Sequence, residues 1–405
     1  MTAAAGVLRY LPPLLIWLVL HLWVGRQLMA PLTWARRWRI AAWVAIILVA
    51  TYPIAAMILT RVSPGHAAEF GLMFSGMLVF GFASIVIMLR VAAWCVEVVV
   101  LGARAFGRRT RARGAGADVS APDLDRRRFF GKLLNAGVLS SAAGVTSVGV
   151  YSATQLPAVR TVTVSISNLH PALEGLTIAQ LSDIHVGPTI REPYVRGLVD
   201  SVNALNADFV AITGDLVDGF VSNLGPEIAP LGELKSRLGT FVVTGNHEYY
   251  WRGAEWVAYF KKLNMTVLEN DHRVLRRDDA QFTVAGVHDL HAARHIPSHA
   301  SDPARAAEGA PEGLRILLAH QPRSAPEASD TRAYDLQLSG HTHGGQYAPF
   351  QLLVWLSQPY LAGLHRISER MQLYVSRGSG YWGPPIRAGA PSEITKIILT
   401  RATTA

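Results

Sequence analysis

Residues 160–405 contain five short apolar segments, and each runs directly into a turn that carries aspartate, asparagine or histidine. The segments are LTIAQLSD, ADFVAITGD, TFVVTGNHE, LRILLAHQP and YDLQLSGHTHGG, with helix-like spacing between the first three. Near-continuous apolar strands that alternate with helices are typical of buried sheets covered by helices. These residues, about 245 in number, therefore predict one substantial α/β domain.

Metal-binding residue types recur at the ends of these segments. Because binding sites in α/β sheets form at the carboxyl ends of strands, we expect the side chains to converge there. The glycines around His341 and His343 let the backbone turn tightly, so that both rings can face one point. The residues concerned are Asp183, His185, Asp215, Asn246, His247, His320, His341 and His343.

The ligand chemistry indicates two cations. Carboxylate, imidazole and carboxamide groups without any thiolate suit Mn, Fe or Zn. Six or seven such ligands exceed the needs of one ion with an open position, whereas two ions sharing a bridging carboxylate would use them. Taken singly, Asp183 or Asp215 could be a helix N-cap, but five matched segments disfavour that interpretation for the set. The single cysteine, Cys95, can form no internal disulfide.

Five motifs in this order, LSDIHVG, GDLVDG, GNHE, AHQP and GHTHGGQ, resemble the calcineurin-like metallophosphoesterases across residues 160–405. The resemblance implies a two-sheet β-sandwich flanked by helices, with two divalent metal ions at strand ends. GHTHGGQ and the later LYVSRGSGYWGPPIR resemble the bacterial membrane-anchored cell-envelope branch. By that resemblance, the first metal is held by Asp183, His185, Asp215 and His343, and the second by the bridging Asp215 with Asn246, His320 and His341.

The resemblance also implies a mechanism. A hydroxide bridging both metals attacks phosphorus, and His247 protonates the leaving oxygen or stabilises its developing charge. Asp218 matches the acidic residue that supports this histidine in related phosphatases, with a plain turn residue as the alternative. Gly219 and Phe220 stand where protein phosphatases carry a phosphate-gripping arginine, which disfavours a phosphoprotein substrate. We therefore expect hydrolysis of a phosphomonoester, phosphodiester or pyrophosphate, on an envelope or lipid-linked compound.

Residues 1–155 differ in composition from residues 160–405, because they consist of apolar segments that are separated by basic residues. Half of the whole chain is apolar and only 17% is charged, which indicates membrane segments. Residues 8–25, 40–59 and 70–89 each approach the roughly 20 apolar residues that cross a bilayer. Residues 90–106 read as a helical extension of the third span. The predicted regions are therefore a three-span region at 1–106, a basic cytoplasmic linker at 107–132 and a fourth transmembrane segment at 133–155.

Basic residues set the expected orientation. The formal charge is +9, and residues 104–132 hold nine Lys/Arg against three Asp/Glu, a balance of 9 − 3 = +6. Because the basicity is concentrated there, a nucleic-acid partner is not expected. Loops rich in Lys and Arg lie in the cytoplasm, so residues 160–405 are expected outside the cytoplasmic membrane of a multi-pass protein. A fifth crossing within 90–106 would reverse this orientation.

The stretch DRRRFFGK, at 125–132, resembles a twin-arginine export signature through its arginine pair and its phenylalanine pair. A weakly apolar segment rich in Gly, Ser and Ala follows, as such signals require. The twin-arginine translocation machinery is therefore a candidate partner. The alternative is a plain charge cluster before a membrane helix.

Two other functions stay open at this point. One is a non-catalytic membrane module that uses its metals for binding or assembly. The other, if the orientation is reversed, is a pyrophosphatase that acts on a nucleotide-linked lipid at the inner face.

Several further polar residues have more than one interpretation. The histidine-rich stretch with His288, His291, His295 and His299 could be a lid, an extra metal-binding patch or a solvated loop, and the solvated loop is favoured. Arg377 and Arg387 could face substrate phosphate or lie on the surface. Glu248 is expected to support the site or lie at the surface, and Gln346 to close a turn.

Overall fold

The computed structural model describes residues 11–60, 66–111 and 124–402 and comprises two compact units, Met1–Val148 and Gly149–Ala405. The first unit is helical. Helices α1 to α4 cover Leu11–Met29, Arg36–Thr60, His66–Arg111 and Leu124–Thr154. Three stretches within them are long and apolar enough to cross a membrane, namely Arg36–Thr60, Ala67–Ala103 and Arg126–Thr154. The N-terminal apolar helices thus provide membrane association.

The predicted spans fall on these helices. Of residues 8–25, those from position 11 lie in α1 and the others lie outside the described residues. Residues 40–59 and 70–89 lie within α2 and α3. Helix α3 continues unbroken through 90–106, where Arg90 Nη2 lies 3.3 Å from Glu97 Oε1. Of the predicted linker, residues 107–111 end α3, residues 124–132 begin α4, and 112–123 lie outside the described residues. The number of crossings stays a prediction.

Two mixed sheets of six strands form the second unit. Strands β1 to β12 cover Ala158–Ile166, Thr177–Leu181, Phe209–Thr213, Thr240–Val243, Thr266–Val267, Asp271–Arg277, Ala280–Gly286, Arg315–Leu318, Leu336–Ser339, Gly363–Arg366, Gln372–Val375 and Glu393–Arg401. The strand orders are β1-β12-β2-β3-β4-β5 and β10-β11-β9-β8-β7-β6. Strands β2 to β5 are mutually parallel, as are β7, β8, β9 and β11.

The main core lies between the two sheets. Phe209 of one sheet packs against Phe282 of the other with ring centroids 6.1 Å apart, and both side chains are fully buried. Near-continuous apolar strands are needed here because each sheet is covered on both faces. This arrangement confirms the predicted β-sandwich flanked by helices.

Helices cover the outer faces of the sheets. Helices α5 to α11 cover Glu192–Asn203, Val221–Ile228, Asn246–Tyr250, Gly253–Lys262, Pro303–Ala306, Ala325–Asp330 and Gln351–Ser357. In α5 the side chains at Val195, Leu198, Val199 and Val202 are buried. Their spacing of three and four residues places them on one face of a helix, and burying each stabilises the fold by about 1.5–3 kcal/mol.

The strand directions bring the polar turns to one edge of the sandwich. Because β2, β3 and β4 run parallel, their carboxyl ends meet at the same edge of the first sheet. The same holds for β8 and β9 in the second sheet. The turns after these five strands carry every metal ligand predicted from the sequence.

Candidate metal centre

The turns after the strands adopt backbone conformations that side-chain-bearing residues rarely occupy. Five of the seven predicted ligands have positive φ, namely Asp183 (53°), His185 (56°), Asp215 (54°), His341 (72°) and His343 (52°). Each such residue costs about 1–3 kcal/mol and persists only where the surrounding structure enforces it. The left-handed turns aim successive side chains inward instead of alternating them across a strand, and they bring His341 and His343 to the same site.

Two glycines allow neighbouring turns to approach closely. A Cβ on Gly245 would lie 2.2 Å from Asp215 Oδ1, and a Cβ on Gly340 would lie 2.2 Å from Asp183 Oδ2. No side chain fits at such distances, so only glycine permits this approach. The small residues of the motifs are therefore required by the packing of one turn against another.

One group of side chains contains Asp183, His185 and His343. One ligand atom from each lies within 4.8 Å of those from the others, and all three residues are buried. The Nε2 atoms of the two histidines are 3.0 Å apart, and His343 Nε2 lies 3.6 Å from Asp183 Oδ1. Nitrogen and carboxylate donors directed at one point fit a divalent cation.

A second group contains Asp215, His320 and His341. Asp215 Oδ2 lies 3.1 Å from His320 Nε2 and also 3.9 Å from Nε2 of His185 in the first group. The same carboxylate therefore faces both groups. This is the position that a bridging ligand requires.

Asn246 provides an independent sign of a cation at this centre. Its Oδ1 is buried and, among the described residues, has no hydrogen-bond partner, whereas its Nδ2 donates to Tyr250 Oη at 3.2 Å. A buried carbonyl oxygen left without a partner costs about 1–3 kcal/mol. A bound cation would supply the missing partner, so the residues fit the metals that the sequence predicts.

Burial keeps two of the four predicted histidine ligands neutral, whereas at His320 the charge of Asp215 outweighs burial and raises the pKa. Burial, together with the charge of His320, lowers the pKa of His341 to about 3. Burial and the nearby Arg387 hold the pKa of His343 well below its usual range. Both rings are therefore neutral near pH 7, as metal coordination requires.

His247 and Asp218 form a hydrogen-bonded pair that lies beside both groups. His247 Nδ1 lies 2.5 Å from Asp218 Oδ1, while Oδ2 of the same carboxylate lies 3.2 Å from His185 Nδ1. Burial lowers the pKa of His247, but the charge of Asp215 and the hydrogen bond with Asp218 outweigh it and raise that pKa to about 9. Asp218 thus orients two rings at once. The catalytic roles of His247 and Asp218 stay predictions.

Glu248 is a buried structural anchor, a role for which the sequence offered only one signal. Its carboxylate accepts hydrogen bonds from the backbone N–H groups of Gly245 (2.6 Å), Leu216 (2.7 Å) and Asp215 (3.1 Å). The signal is its third position in helix α7, where a glutamate caps the preceding backbone. The contacts to the Asp215 turn are long-range and could not be read from the motif.

Replacing Glu248 with alanine is expected to lower the free energy of unfolding by about 2–4 kcal/mol, since three buried N–H groups lose their acceptor. Thermal unfolding followed by circular dichroism measures the effect. Glu255→Ala in helix α8 is the matched control, because that side chain is half exposed. Equal melting temperatures for the two variants would contradict the anchoring role.

Arg387 is buried, so the surface interpretation from the sequence is wrong for it, and the substrate-contact interpretation stays a prediction. It is 1% exposed, and its Nη1 donates to the backbone oxygens of His343 (2.8 Å) and Arg377 (2.7 Å). Its Nη2 lies 2.8 Å from His343 Nδ1. The guanidinium therefore holds the His343 turn and ring in place. No local pattern identified this role.

Gln346 connects the GHTHGGQ turn to the C-terminal WGPP segment. Its Nε2 donates to the backbone oxygens of Trp382 (2.9 Å) and Pro384 (3.0 Å), and its Oε1 accepts from Trp382 N (3.0 Å). Gln346 therefore forms a long-range tertiary contact, whereas the sequence predicted only that it closes a local turn. The Trp382 ring consequently lies 5.5 Å from the His247 ring.

Comparison with known proteins gives consistent family matches. A family model described as calcineurin-like phosphoesterase matches residues 176–345. A transmembrane protein with metallophosphoesterase domain from Bos taurus is 43% identical over 265 residues, covering 63% of this chain and 60% of that protein. An uncharacterized metallophosphoesterase from Helicobacter pylori is 38% identical over 275 residues, covering 68% of this chain and 72% of that protein. The chain thus spans less than two thirds of its bovine relative.

Proposed function

We propose that this chain, which belongs to the calcineurin-like phosphoesterase family, is a membrane-associated, metal-dependent hydrolase of phosphate esters. The observation that carries the proposal is the pair of adjacent ligand groups, in which Asp215 Oδ2 faces a histidine of each group and His247 and Asp218 lie beside them. A pure binding module would need the ligands but not a histidine poised by its own carboxylate. This favours the enzyme over the non-catalytic alternative.

Two divalent ions, Mn, Fe or Zn, would be held by the two groups, with Asn246 in the second. When bound, such ions supply an activated water and neutralise charge on phosphoryl oxygens. The protein's own residues position the metal ligands and protonate the leaving oxygen. His247, held by Asp218, donates a proton to the leaving oxygen. Asp215 fixes the position of the two ligand groups relative to each other, because its Oδ2 contacts a histidine of each group.

The experiment uses full-length protein purified in detergent. We expect turnover of a chromogenic phosphodiester or phosphomonoester to disappear after chelation and to return with added Mn²⁺ or Zn²⁺. Elemental analysis of the active protein should find bound transition metal. Undiminished turnover in metal-free protein would refute the proposal.

We also propose that the substrate is lipid-linked, on the basis of helix α11. Its side chains Leu352, Trp355 and Leu356 are 63%, 63% and 74% exposed. The helix adjoins the site, because Gln351 Nε2 donates to Gly344 O at 3.4 Å, next to His343. Exposed leucine and tryptophan clusters on a soluble surface mark lipid or partner contacts, and the apolar membrane helices of the same chain favour lipid.

Replacing Leu352 and Leu356 together with serine is expected to reduce kcat/KM for phosphatidic acid presented in vesicles by about 10- to 100-fold, the loss of roughly one or two buried leucines. Turnover of a water-soluble chromogenic ester should stay unchanged. Val274→Ser, at another exposed apolar position, is the matched control. Equal losses on both substrates would indicate damage to the site and would count against a lipid substrate.

The expected orientation, with the second unit outside the cytoplasmic membrane, remains part of this proposal. Its support is the basic character of residues 104–132. A reporter that is active only outside the cytoplasm, fused after position 405, should be active. Activity of a cytoplasm-only reporter would instead favour the inner-face pyrophosphatase. Membership of the cell-envelope branch and use of the twin-arginine machinery, through Arg126 and Arg127, are proposals supported by the sequence motifs alone.

A further inference from the structure

A second cluster of metal-ligating side chains lies outside the main centre. Glu269, His288 and His299 each offer one ligand atom, and these atoms lie within 4.8 Å of one another. They come from three separate segments: the turn between β5 and β6, the loop that follows β7, and the 3-10 turn Pro297–His299. His288 is only 5% exposed, so the solvated-loop interpretation is wrong for this residue.

The two histidines are held face to face. Their rings stack with centroids 4.2 Å apart at an interplanar angle of 21°. Their Nδ1 atoms both contact the Tyr249 hydroxyl, at 3.0 Å from His288 and 2.9 Å from His299. Both imidazole rings are therefore oriented by the same hydroxyl before a metal ion binds. This preorganisation lowers the entropy that is lost on binding.

Asn270 fixes the backbone around the cluster. Its Nδ2 donates to Ala300 O at 2.7 Å, and its Oδ1 accepts from the N–H groups of Asp302 (3.1 Å) and His288 (3.4 Å). One buried side chain thus ties the segment of His288 to the segment that follows His299. The geometry of the cluster is therefore built into the fold rather than a chance meeting of surface residues.

The charge of the cluster suits a cation. Glu269 supplies a carboxylate; Lys261 Nζ contacts its Oε2 at 2.6 Å, and a carboxylate has two oxygens. Two imidazoles and one glutamate form a ligand set that zinc uses in proteins, with solvent in the remaining position.

We propose that Glu269, His288 and His299 form a further divalent-metal site, separate from the dinuclear centre and best suited to Zn²⁺. Its place in the fold indicates what it does. Tyr249, the residue that carries both rings, lies in helix α7 with Asn246 and His247. An ion here fastens the histidine-rich segment 288–299 and the β5–β6 turn beside that helix. It braces the helix without touching substrate.

The test is the zinc content of full-length protein in detergent, stripped with chelator, reloaded with Zn²⁺, desalted and measured by elemental analysis. We expect Glu269→Gln and His299→Ala each to bind about one equivalent less per chain than the unaltered protein. Turnover of the chromogenic ester should stay within about threefold, because neither residue belongs to the main centre. His295→Ala, in the same histidine-rich segment but outside the cluster, is the matched control and should bind the full amount.

Equal zinc content in all four proteins would overturn the site. Loss of both zinc and turnover in Glu269→Gln would overturn it as well, since the cluster would then only support the main centre. Should His299→Ala fail to fold, Glu269→Gln decides alone, because it preserves side-chain size at a partly exposed position. The readout is metal content, so it holds even if the chain's substrate proves not to be a phosphate ester.

Discussion

Replacing Asp215 with asparagine is expected to lower kcat/KM for a chromogenic phosphodiester by about 10³-fold or more. The carboxylate faces His320 Nε2 at 3.1 Å and His185 Nε2 at 3.9 Å, while its Oδ1 accepts a hydrogen bond from His247 N at 2.8 Å. An amide has nearly the same shape but no charge and one oxygen fewer. The two ligand groups therefore lose their common anion, and metal content should fall together with turnover.

Asp279→Asn is the control for this change, because it makes the same chemical substitution at an exposed position in the second unit. It should keep both metal and activity. If the Asp215 variant kept full turnover with metal still bound, the carboxylate would not be needed to link the two ligand groups. The dinuclear proposal would then fail.

Replacing His247 with glutamine is expected to reduce kcat by about 10²- to 10⁴-fold, the usual contribution of a general acid. Metal content should stay unchanged, because this ring is paired with Asp218 and is not among the predicted ligands. The measurement combines single-substrate kinetics with elemental analysis of the same preparation. Loss of turnover with metal retained separates the proton donor from the ligands.

Leaving-group chemistry sharpens the test of His247. An ester with a strongly acidic phenol needs little protonation, so its hydrolysis should suffer less in the variant than that of an alkyl ester. A uniform loss on both esters would indicate a positioning role. The matched substitution His272→Gln, on strand β6, should leave both rates intact. Unchanged turnover of both esters in the His247 variant would contradict the proton-donor role. Full rescue of a cellular phenotype by this variant, despite the loss of its turnover, would favour the non-catalytic binding module.

The sequence alone predicted the ligand set and the class of fold, because both depend on patterns of neighbouring residues. A strand followed at once by an Asp, Asn or His turn can be recognised without knowing what lies across the sheet. Parallel strands then bring such turns to one edge by geometry alone. The apolar length of residues 40–59 and 70–89 indicated membrane helices by the same local logic.

Only the tertiary structure decided what supports and surrounds those ligands. Glu248, Arg387 and Gln346 act through contacts with residues far along the chain, and the local signals at Glu248 and Gln346 do not identify those long-range partners. The pairing of His288 with His299 on Tyr249 depends on three segments meeting. The exposure of helix α11 is likewise set by the absence of a covering element among the described residues. Packing between segments that are distant in the sequence produces these arrangements, and local residue patterns do not predict such packing.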